Sequence, residues 1–421
     1  MGLLDMSQDE LLTVYSLLDK AQQTSFPLLC KAIATLLRSS GDLYKRMDVS
    51  LQSMAPIVTP GDGAVVDMQL ADLQCWAQAR APYVQELTLH MTEGWEAKAA
   101  GTLNDILLSC ANIHTLHITN LGGYKHWLGG IFSLKHLRKL SVTAGSTWVR
   151  LPPEFAHLSL LEDLSIEMRI EGGRQVAQSF VPIELLSCTR LRHLSFTGCQ
   201  GLFLPPVVGE LISLQSLRVN RTDLADTRDA IHPCTFQRGS FATFSLTLLD
   251  LSACNLDVLP FQMCHLEKLE RLVLSRNALA DMPRLLAAFL RRLRSIDLSF
   301  NRFKRIPPVL ASLTCLQHVD LSGNPDLEVS APDARSEQAL ASRPSQQRLS
   351  LTQLVYALSE LQTLDVRKAP GMLTSQPNLW TPACWSSLME IRRAMHKASP
   401  WCNLETFACD ANPSMIASCS W

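Results

Sequence analysis

The chain has 421 residues, of which 47% are hydrophobic, so it has enough apolar material for a large core. Its formal net charge of −1 provides no basic footprint for nucleic acid or an anionic membrane. No apolar run approaches the roughly 20 residues of a membrane span, and the first residues lack the pattern of a secretory signal. The 13 cysteines are scattered and odd in number, which favours a reducing compartment. We therefore expect a cytoplasmic or nuclear protein, with a cytoskeleton-associated location as the alternative.

The first predicted elements are short helices within residues 6–50. Apolar residues at positions 11, 14, 15 and 18 follow helical spacing, and a second apolar patch follows at positions 28, 29, 33, 36 and 37. A helical unit of about 45 residues has little core of its own, so we expect an apolar face that another surface must cover.

Three stretches of this segment resemble the F-box family. They read Val14-Tyr15-Ser16-Leu17-Leu18, then Leu29-Cys30-Lys31, then Leu43-Tyr44-Lys45-Arg46-Met47-Asp48-Val49. The family has Ile-Phe-Ser-Tyr-Leu, Val-Cys-Lys and Leu-Trp-x-x-Leu-Asp-Leu at these places. The chain departs from the family at Met6-Ser7, where the family has Leu-Pro, and at Ile33, where it has Trp.

The F-box resemblance implies docking on a Skp-like linker subunit of a cullin complex. The residues that the resemblance assigns to this contact are Leu11, Val14, Tyr15, Leu18, Leu28, Cys30 and Tyr44. The alternative is a helical cap that shields the first unit of the following array, since the ends of repeat arrays require capping.

A repeated motif dominates the rest of the chain. Leu269-Glu-Arg-Leu-Val-Leu-Ser-Arg-Asn277 recurs from Leu293 and from Leu316, at steps of 24 and 23 residues. Weaker copies bring the total to about twelve, and they start at Val84, Ile113, Leu137, Leu161, Leu191, Leu214, Leu246, Leu361 and Leu404. This period and the L-x-x-L-x-L-x-x-N core are typical of leucine-rich repeats. The pattern predicts an α/β solenoid, a leucine-rich-repeat horseshoe with a parallel concave sheet.

Alternation within each strand predicts which side chains face outward. The fifth motif position carries an acidic series at Asp250, Asp297, Asp320 and Asp365, and the ends of nearby strands carry Arg221, Arg276 and Phe300. Carboxylates beside arginines and an exposed aromatic make a candidate hot spot for a protein partner on the concave face. The alternative is that Leu-Asp-Leu-Ser is solvated repeat filler. Asparagines at the motif end are expected to bond the backbone of adjacent coils.

Spacing and composition divide the chain into five segments. A polar stretch at 328–349 breaks the repeat spacing and is predicted to be a mobile insertion, either passive or regulatory. The predicted segments are an F-box-like module at 6–50, a linker and N-terminal cap at 51–82, repeats at 83–327, the insertion, and irregular repeats with a cap at 350–421.

No catalytic, cofactor or metal motif is present in the sequence. There is no phosphate-binding loop, nucleophile elbow or zinc-ligand spacing, and His114 with His117 is too small a set for a metal site. We therefore expect a non-enzyme that binds proteins. The F-box resemblance implies that the chain is a substrate-recognition subunit of an SCF-type ubiquitin ligase. The alternative is a repeat-only scaffold or regulator acting on a small GTPase, a phosphatase or an axonemal assembly.

Overall fold

The chain consists of two compact units, Met1–Gly198 and Cys199–Trp421, both of which are stacks of coils. They are seen in a computed structural model, which describes residues 45–51, 57–60, 66–67, 81–91, 96–121, 128–144, 152–168, 179–180, 183–199, 202–203, 208, 211–221, 245–259, 263, 266–327, 349, 353–354, 357–366 and 406–408. Residues 328–348 of the predicted insertion and most of the C-terminal segment lie outside these residues.

The described residues of the first unit include six parallel strands, with helical segments in several of the connections between them. The parallel strands are β1 (Arg46–Leu51), β4 (Glu86–Met91), β5 (Thr115–Leu121), β6 (Lys139–Ala144), β7 (Asp163–Met168) and β9 (His193–Thr197). Strands β2 (Ile57–Pro60) and β3 (Val66–Asp67) extend the β1 edge in antiparallel fashion, and β8 is Ser179–Phe180. The connections contain helix α1 (Glu96–Ser109) and 3₁₀ helices at Gly129–Ser133, Pro153–His157 and Ile183–Ser187.

The second unit repeats this plan with shorter strands. Its parallel strands are β11 (Ser216–Asn220), β12 (Leu248–Asp250), β13 (Arg271–Val273), β14 (Ser295–Asp297), β15 (His318–Asp320), β16 (Thr363–Asp365) and β17 (Thr406–Ala408). Strand β10 is Leu202–Phe203, helix α2 is Leu286–Phe289, and a 3₁₀ helix covers Pro308–Ser312.

The fourth motif position sets the register of the parallel strands in each unit. In the first unit it stacks Leu87, Leu116, Leu140, Leu164 and Leu194 in one line, and all five are buried. In the second unit the line runs Leu217, Leu249, Leu272, Ile296, Val319 and Leu364. Because the side-chain period of a strand is two, this register also lines up the outward side chains. The fold is a leucine-rich-repeat solenoid, as the spacing predicts.

Prolines mark the end of the strand side where the structure describes them. Pro152 and Pro307 have extended backbone and immediately precede the 3₁₀ helices Pro153–His157 and Pro308–Ser312. A proline suits this place because its fixed φ fits the first helical turn and its missing N–H is not needed there.

The end of the predicted F-box-like module is a strand, which corrects the helical prediction for residues 46–50. Met47 and Val49 are buried, whereas Arg46 is exposed and Asp48 is half-buried, so the burial period is two. Strand β1 pairs in parallel with β4 from Arg46 to Leu51. The carbonyl of Lys45 accepts hydrogen bonds from the N–H groups of Gln85 and Glu86, as the Gln85 carbonyl does from the next coil. The parallel sheet therefore begins one strand before the predicted first repeat.

Candidate protein-binding face

The four predicted aspartates lie in one line on the outward face of the second unit. Asp250 aligns with Val273, Val273 with Asp297, Asp297 with Asp320, and Asp320 with Asp365. All four are half-buried, and we call Asp250, Asp297, Asp320 and Asp365 the acidic column. Adjacent parallel strands are about 4.8 Å apart, so the last three members are close neighbours.

Three of these carboxylates also form the turn at the end of their own strand. Asp250 accepts a hydrogen bond from the Ser252 N–H at 3.0 Å, and Asp320 accepts one from the Ser322 N–H at 2.8 Å. Asp297 accepts two, from the Ser299 N–H at 2.9 Å and from its hydroxyl at 2.6 Å. This local bonding to the backbone two residues on is the reason that aspartate suits the position.

The surroundings of Asp320, in the acidic column, disfavour the negative charge of its carboxylate. Burial raises the pKa of Asp320 above its ordinary value, and the negative charges of Asp297 and Asp365 act in the same direction. The hydrogen bonds from Ser322 act in the opposite direction. The ionised carboxylate of Asp320 is therefore less favourable in the fold than in a solvated chain.

Buried asparagines hydrogen-bond the backbone of the coils that carry the acidic column. The side-chain NH₂ of Asn301 donates to the carbonyls of Leu274 and Leu298 at 2.9 and 3.0 Å, and its oxygen accepts from the Leu279 N–H at 3.1 Å. Asn277 and Asn324 make the same kinds of bond in their coils. Where the motif has Cys254 instead, its thiol donates to the Val219 carbonyl at 2.8 Å. The predicted role of the motif asparagine is confirmed at these three positions, while Asn412 lies outside the described residues.

Arg276 and Phe300 contact each other just beyond the carboxyl ends of strands β13 and β14. The Arg276 guanidinium carbon lies 4.6 Å from the centre of the Phe300 ring. Arg276 and Arg221 are exposed, and the Phe300 side chain is 39% exposed. All three residues have a left-handed backbone, with φ between 53° and 59°. The leucine spacing does not predict this conformation, although Gly198 and Gly323 at the same motif position are a signal for it.

The outward face of the first unit has a different chemical character. An exposed ion pair joins Arg46 to Glu86 at 2.7 Å, and the His90 ring bonds the Thr119 hydroxyl at 2.7 Å. Other outward positions in these strands include Thr88, His117, Ser141, Ser165 and Ser195. This face is dominated by hydroxyl groups and lacks the row of aligned carboxylates seen in the second unit's described strands.

The residues assigned to linker docking by resemblance are not placed by the structure. Leu11, Val14, Tyr15, Leu18, Leu28, Cys30 and Tyr44 all lie outside the described residues. Only the segment after Tyr44 is described, and it is the strand β1.

The described residues offer no assembled metal centre. Within the described ranges, no group of three or more His, Cys, Asp or Glu side chains is placed to hold a metal ion. His114 packs edge-on against the His136 ring at 6.5 Å between centroids, and His117 points outward. Burial raises the pKa of the Cys110 and Cys188 thiols to about 11, so both are poor nucleophiles near neutral pH. None of the helices in the described ranges has the length and apolar character that a bilayer crossing requires.

One family model matches part of the repeat region, and three solved structures are distantly similar to the chain. Residues 267–325 match the family model described as leucine rich repeat. A leucine-rich-repeat protein of Leptospira interrogans is 16% identical, with 78% of this chain and 91% of that chain covered and a TM-score of 0.39. An internalin of Listeria monocytogenes, InlF, is 15% identical, with 62% and 84% covered and a TM-score of 0.36. InlP of the same organism is 16% identical, with 62% and 64% covered and a TM-score of 0.40.

The matched residues span the coils that carry Asp297, Asp320, Arg276 and Phe300. This part of the chain is thus built of leucine-rich repeats by its sequence and by its fold. Leucine-rich-repeat proteins are protein-interaction scaffolds and are typically not catalytic, because stacked repeats present an extended side-chain surface.

Proposed function

We propose that this chain is a non-catalytic protein-interaction scaffold whose partner binds the outward strand face of the second unit. The observation that carries the proposal is the in-register column of Asp250, Val273, Asp297, Asp320 and Asp365, together with the exposed Arg276–Phe300 pair that follows strands β13 and β14. Such a surface combines a large exposed aromatic and an arginine with hydrogen-bonding groups on a rigid sheet. Aromatic residues and arginine are enriched among the residues that dominate binding energy at protein interfaces.

Affinity capture with two matched variants tests this proposal. Val273→Arg places a long side chain in the middle of the face, where the aligned Asp250 and Asp297 provide opposite charge. Leu285→Arg introduces the same side chain at a position that is 61% exposed beside helix α2. We expect proteins captured by the full chain to be lost with Val273→Arg and retained with Leu285→Arg. Equal capture by both variants would show that the strand face is not the binding surface.

A narrower proposal is that the scaffold is the substrate-recognition subunit of an SCF-type ubiquitin ligase. The order of the F-box-like stretches between Val14 and Lys31 supports it, and these residues would dock on a Skp-like linker of a cullin complex. The repeats would then hold the substrate close to the ubiquitin-loaded enzyme, and the chemistry would belong to other subunits. The strand β1 limits the docking module to residues before 45.

Co-purification distinguishes the ligase proposal from the repeat-only alternative. We expect the full chain to bind a Skp-like subunit, and the double variant Val14→Asp with Leu18→Asp to lose it while the repeats stay folded. If the folded wild-type chain binds no such subunit, the alternative holds: a scaffold or regulator of a small GTPase, a phosphatase or an axonemal assembly. The buried thiols of Cys110 and Cys188, neither of which is in a disulfide, support a reducing compartment, cytoplasmic or nuclear, for either version.

A further inference from the structure

One motif position has a left-handed backbone in five successive coils of the second unit. Its residues are Arg221, Ala253, Arg276, Phe300 and Gly323, with φ of 54°, 54°, 59°, 53° and 68°. Glycine adopts this conformation without penalty, whereas a large side chain is strained in it. Strained residues that persist in a fold are candidates for a functional role. Arg276 and Phe300 are the neighbouring pair of large side chains in this series.

The stacking of coils fixes how these two residues are presented. The Arg276 N–H donates to the Ser299 carbonyl at 2.9 Å, and the Phe300 N–H donates to the Ser322 carbonyl at 2.7 Å. Each left-handed residue is thereby tied to the next coil, so its side chain leaves the backbone in a set direction.

The Phe300 ring is held between two neighbouring coils. On one side lies the Arg276 guanidinium, at 4.6 Å from the ring centre. On the other side lies Gly323, where an added Cβ would stand 2.8 Å from Phe300 Cδ1. Glycine at 323 thus leaves the room that the ring occupies. Three successive coils build one rigid, partly exposed unit, which we call the Arg276–Phe300 anchor.

The guanidinium of the anchor has no carboxylate partner among the described residues. Arg46 and Arg138 form ion pairs with Glu86 and Glu162 of neighbouring coils, but none of the ion pairs among the described residues involves Arg276. The Arg276 guanidinium lies over the Phe300 ring and forms no ion pair with a described residue, so its N–H groups are available to a ligand. A guanidinium binds a carboxylate in a two-bond geometry.

We infer that the Arg276–Phe300 anchor binds a protein segment that carries an acidic side chain next to an aromatic or aliphatic one. The acidic side chain takes the free edge of the guanidinium, and the apolar side chain covers the exposed part of the Phe300 ring. This inference rests on the proposed function and names the chemistry of its partner.

The acidic column limits the direction from which such a segment arrives. A carboxylate lying along the column would meet the carboxyl groups of Asp297 and Asp320 and would find no cationic partner in the column. The coil that continues from Phe300 instead carries exposed Arg302, Lys304 and Arg305. An acidic segment therefore approaches over the carboxyl ends of the strands, where the anchor lies, rather than along the column.

Selection from random peptides tests the inference without a known partner. A phage-displayed library of random linear peptides is panned on the full chain, and enriched peptides are synthesised with their acidic residues and with the matching amides. We expect enriched peptides to pair Asp or Glu with an adjacent aromatic or aliphatic residue. The amide versions are expected to bind roughly tenfold weaker or worse, which is the scale of a lost charge-assisted hydrogen bond.

Variants of the chain assign the binding to the anchor. Arg276→Gln should weaken binding roughly tenfold or more, and Arg276→Lys should weaken it less because lysine keeps the charge but lacks the planar fork. Phe300→Gly should also weaken binding, and the residue at Gly323 shows that this position accepts glycine without loss of the fold. Arg292→Gln removes the same charge from an exposed site before strand β14 and should leave affinity unchanged.

Two outcomes overturn the inference and are distinguishable from each other. If the enriched peptides are basic, and their binding is lost with Val273→Arg but not with Arg276→Gln, the strand face binds a partner and the anchor does not. If no enriched peptide is sensitive to Val273→Arg or to Arg276→Gln, the proposed binding face falls as well.

Discussion

At the residue scale, a buried asparagine stabilises this fold because its side chain hydrogen-bonds backbone groups of two successive coils. Asn301 is 4% exposed and satisfies carbonyls of its own coil and the preceding one, together with the N–H of Leu279. Buried backbone groups that lose a partner destabilise the folded state directly. The sequence predicted this role from the motif alone, since asparagine at the end of a strand bonds nearby backbone groups.

Asn301→Ala is therefore expected to lower the free energy of unfolding by about 3 kcal/mol, because at least three backbone groups lose their partner. The measurement is urea unfolding followed by circular dichroism. Asn112→Ala is the matched control, since exposed Asn112 makes one bond, to the Pro82 carbonyl at 2.7 Å. A loss of less than about 1 kcal/mol in both variants would contradict the proposed role of the asparagine.

The acidic column makes a prediction about pH. Because the pKa of Asp320 is raised in the fold, ionisation opposes folding above that pKa, and the cost disappears as the pH falls through it. Asp320→Asn should therefore be more stable than wild type at neutral pH, and the gain should shrink as the pH is lowered towards 4. Unfolding midpoints in urea across this range give the difference, with exposed Asp326→Asn as the control. A gain that is constant with pH would mean that charge is not its cause.

At the element scale, the strands and their register follow from the leucine spacing, but the backbone at the strand ends does not. The alternation of Leu272 and Leu274 with outward residues predicts both the strand and its buried face. The stacking of coils imposes the left-handed backbone at this position. Arginine and phenylalanine do not favour that conformation, so their presence in the sequence does not predict it. Strand β1 differs from the prediction for another reason. The resemblance of Leu43–Val49 to the F-box family predicts a helix there, whereas the alternation of buried Met47 and Val49 with outward residues indicates a strand.

Replacing two glycines by alanine compares the stability effect at a left-handed position with the effect at a helical position. An alanine Cβ at Gly198 would stand 2.4 Å from the Met168 carbonyl oxygen, and φ there is +70°. Gly198→Ala should lower stability by about 2 kcal/mol or more, because a backbone atom must move. In helix α1 the same change at Gly101 meets nothing within 4 Å and should raise stability by about 0.5–1 kcal/mol. Equal effects in thermal unfolding would show that local backbone geometry is not the cause.

A substitution in strand β1 tests whether residues 46–51 belong to the sheet or to a helical module. Val49 is 1% exposed, so Val49→Asp should lower stability by about 3 kcal/mol or more through a buried unpaired charge. His117→Asp, at an exposed outward position of β5, should change it by less than about 1 kcal/mol. Hydrogen exchange followed by mass spectrometry should show amides of 46–51 protected together with those of β4. Exchange of 46–51 as fast as in an unfolded peptide would remove β1 from the sheet.

At the scale of the whole molecule, the repeat class and the aligned outward columns could be predicted from the sequence, whereas the Arg276–Phe300 contact could not. Register follows from one leucine per coil, and the acidic column follows from register. The contact depends on left-handed backbone at two residues and on the space left by Gly323, and none of these is encoded in hydrophobic periodicity. A repeat array distributes its stability over neighbouring coils, so single residues of its surface are free to serve binding.

Hydroxyl-radical footprinting of the full chain, alone and with a captured partner, tests the central proposal most directly. Three exposed apolar side chains of the second unit report on different surfaces: Phe300, Leu285 and Val258, which are 39%, 61% and 68% exposed. If the strand face binds the partner, oxidation of Phe300 falls in the complex, while that of Leu285 and Val258 stays unchanged. Protection of Leu285 or Val258 with unchanged oxidation of Phe300 would place the partner elsewhere and contradict the proposal.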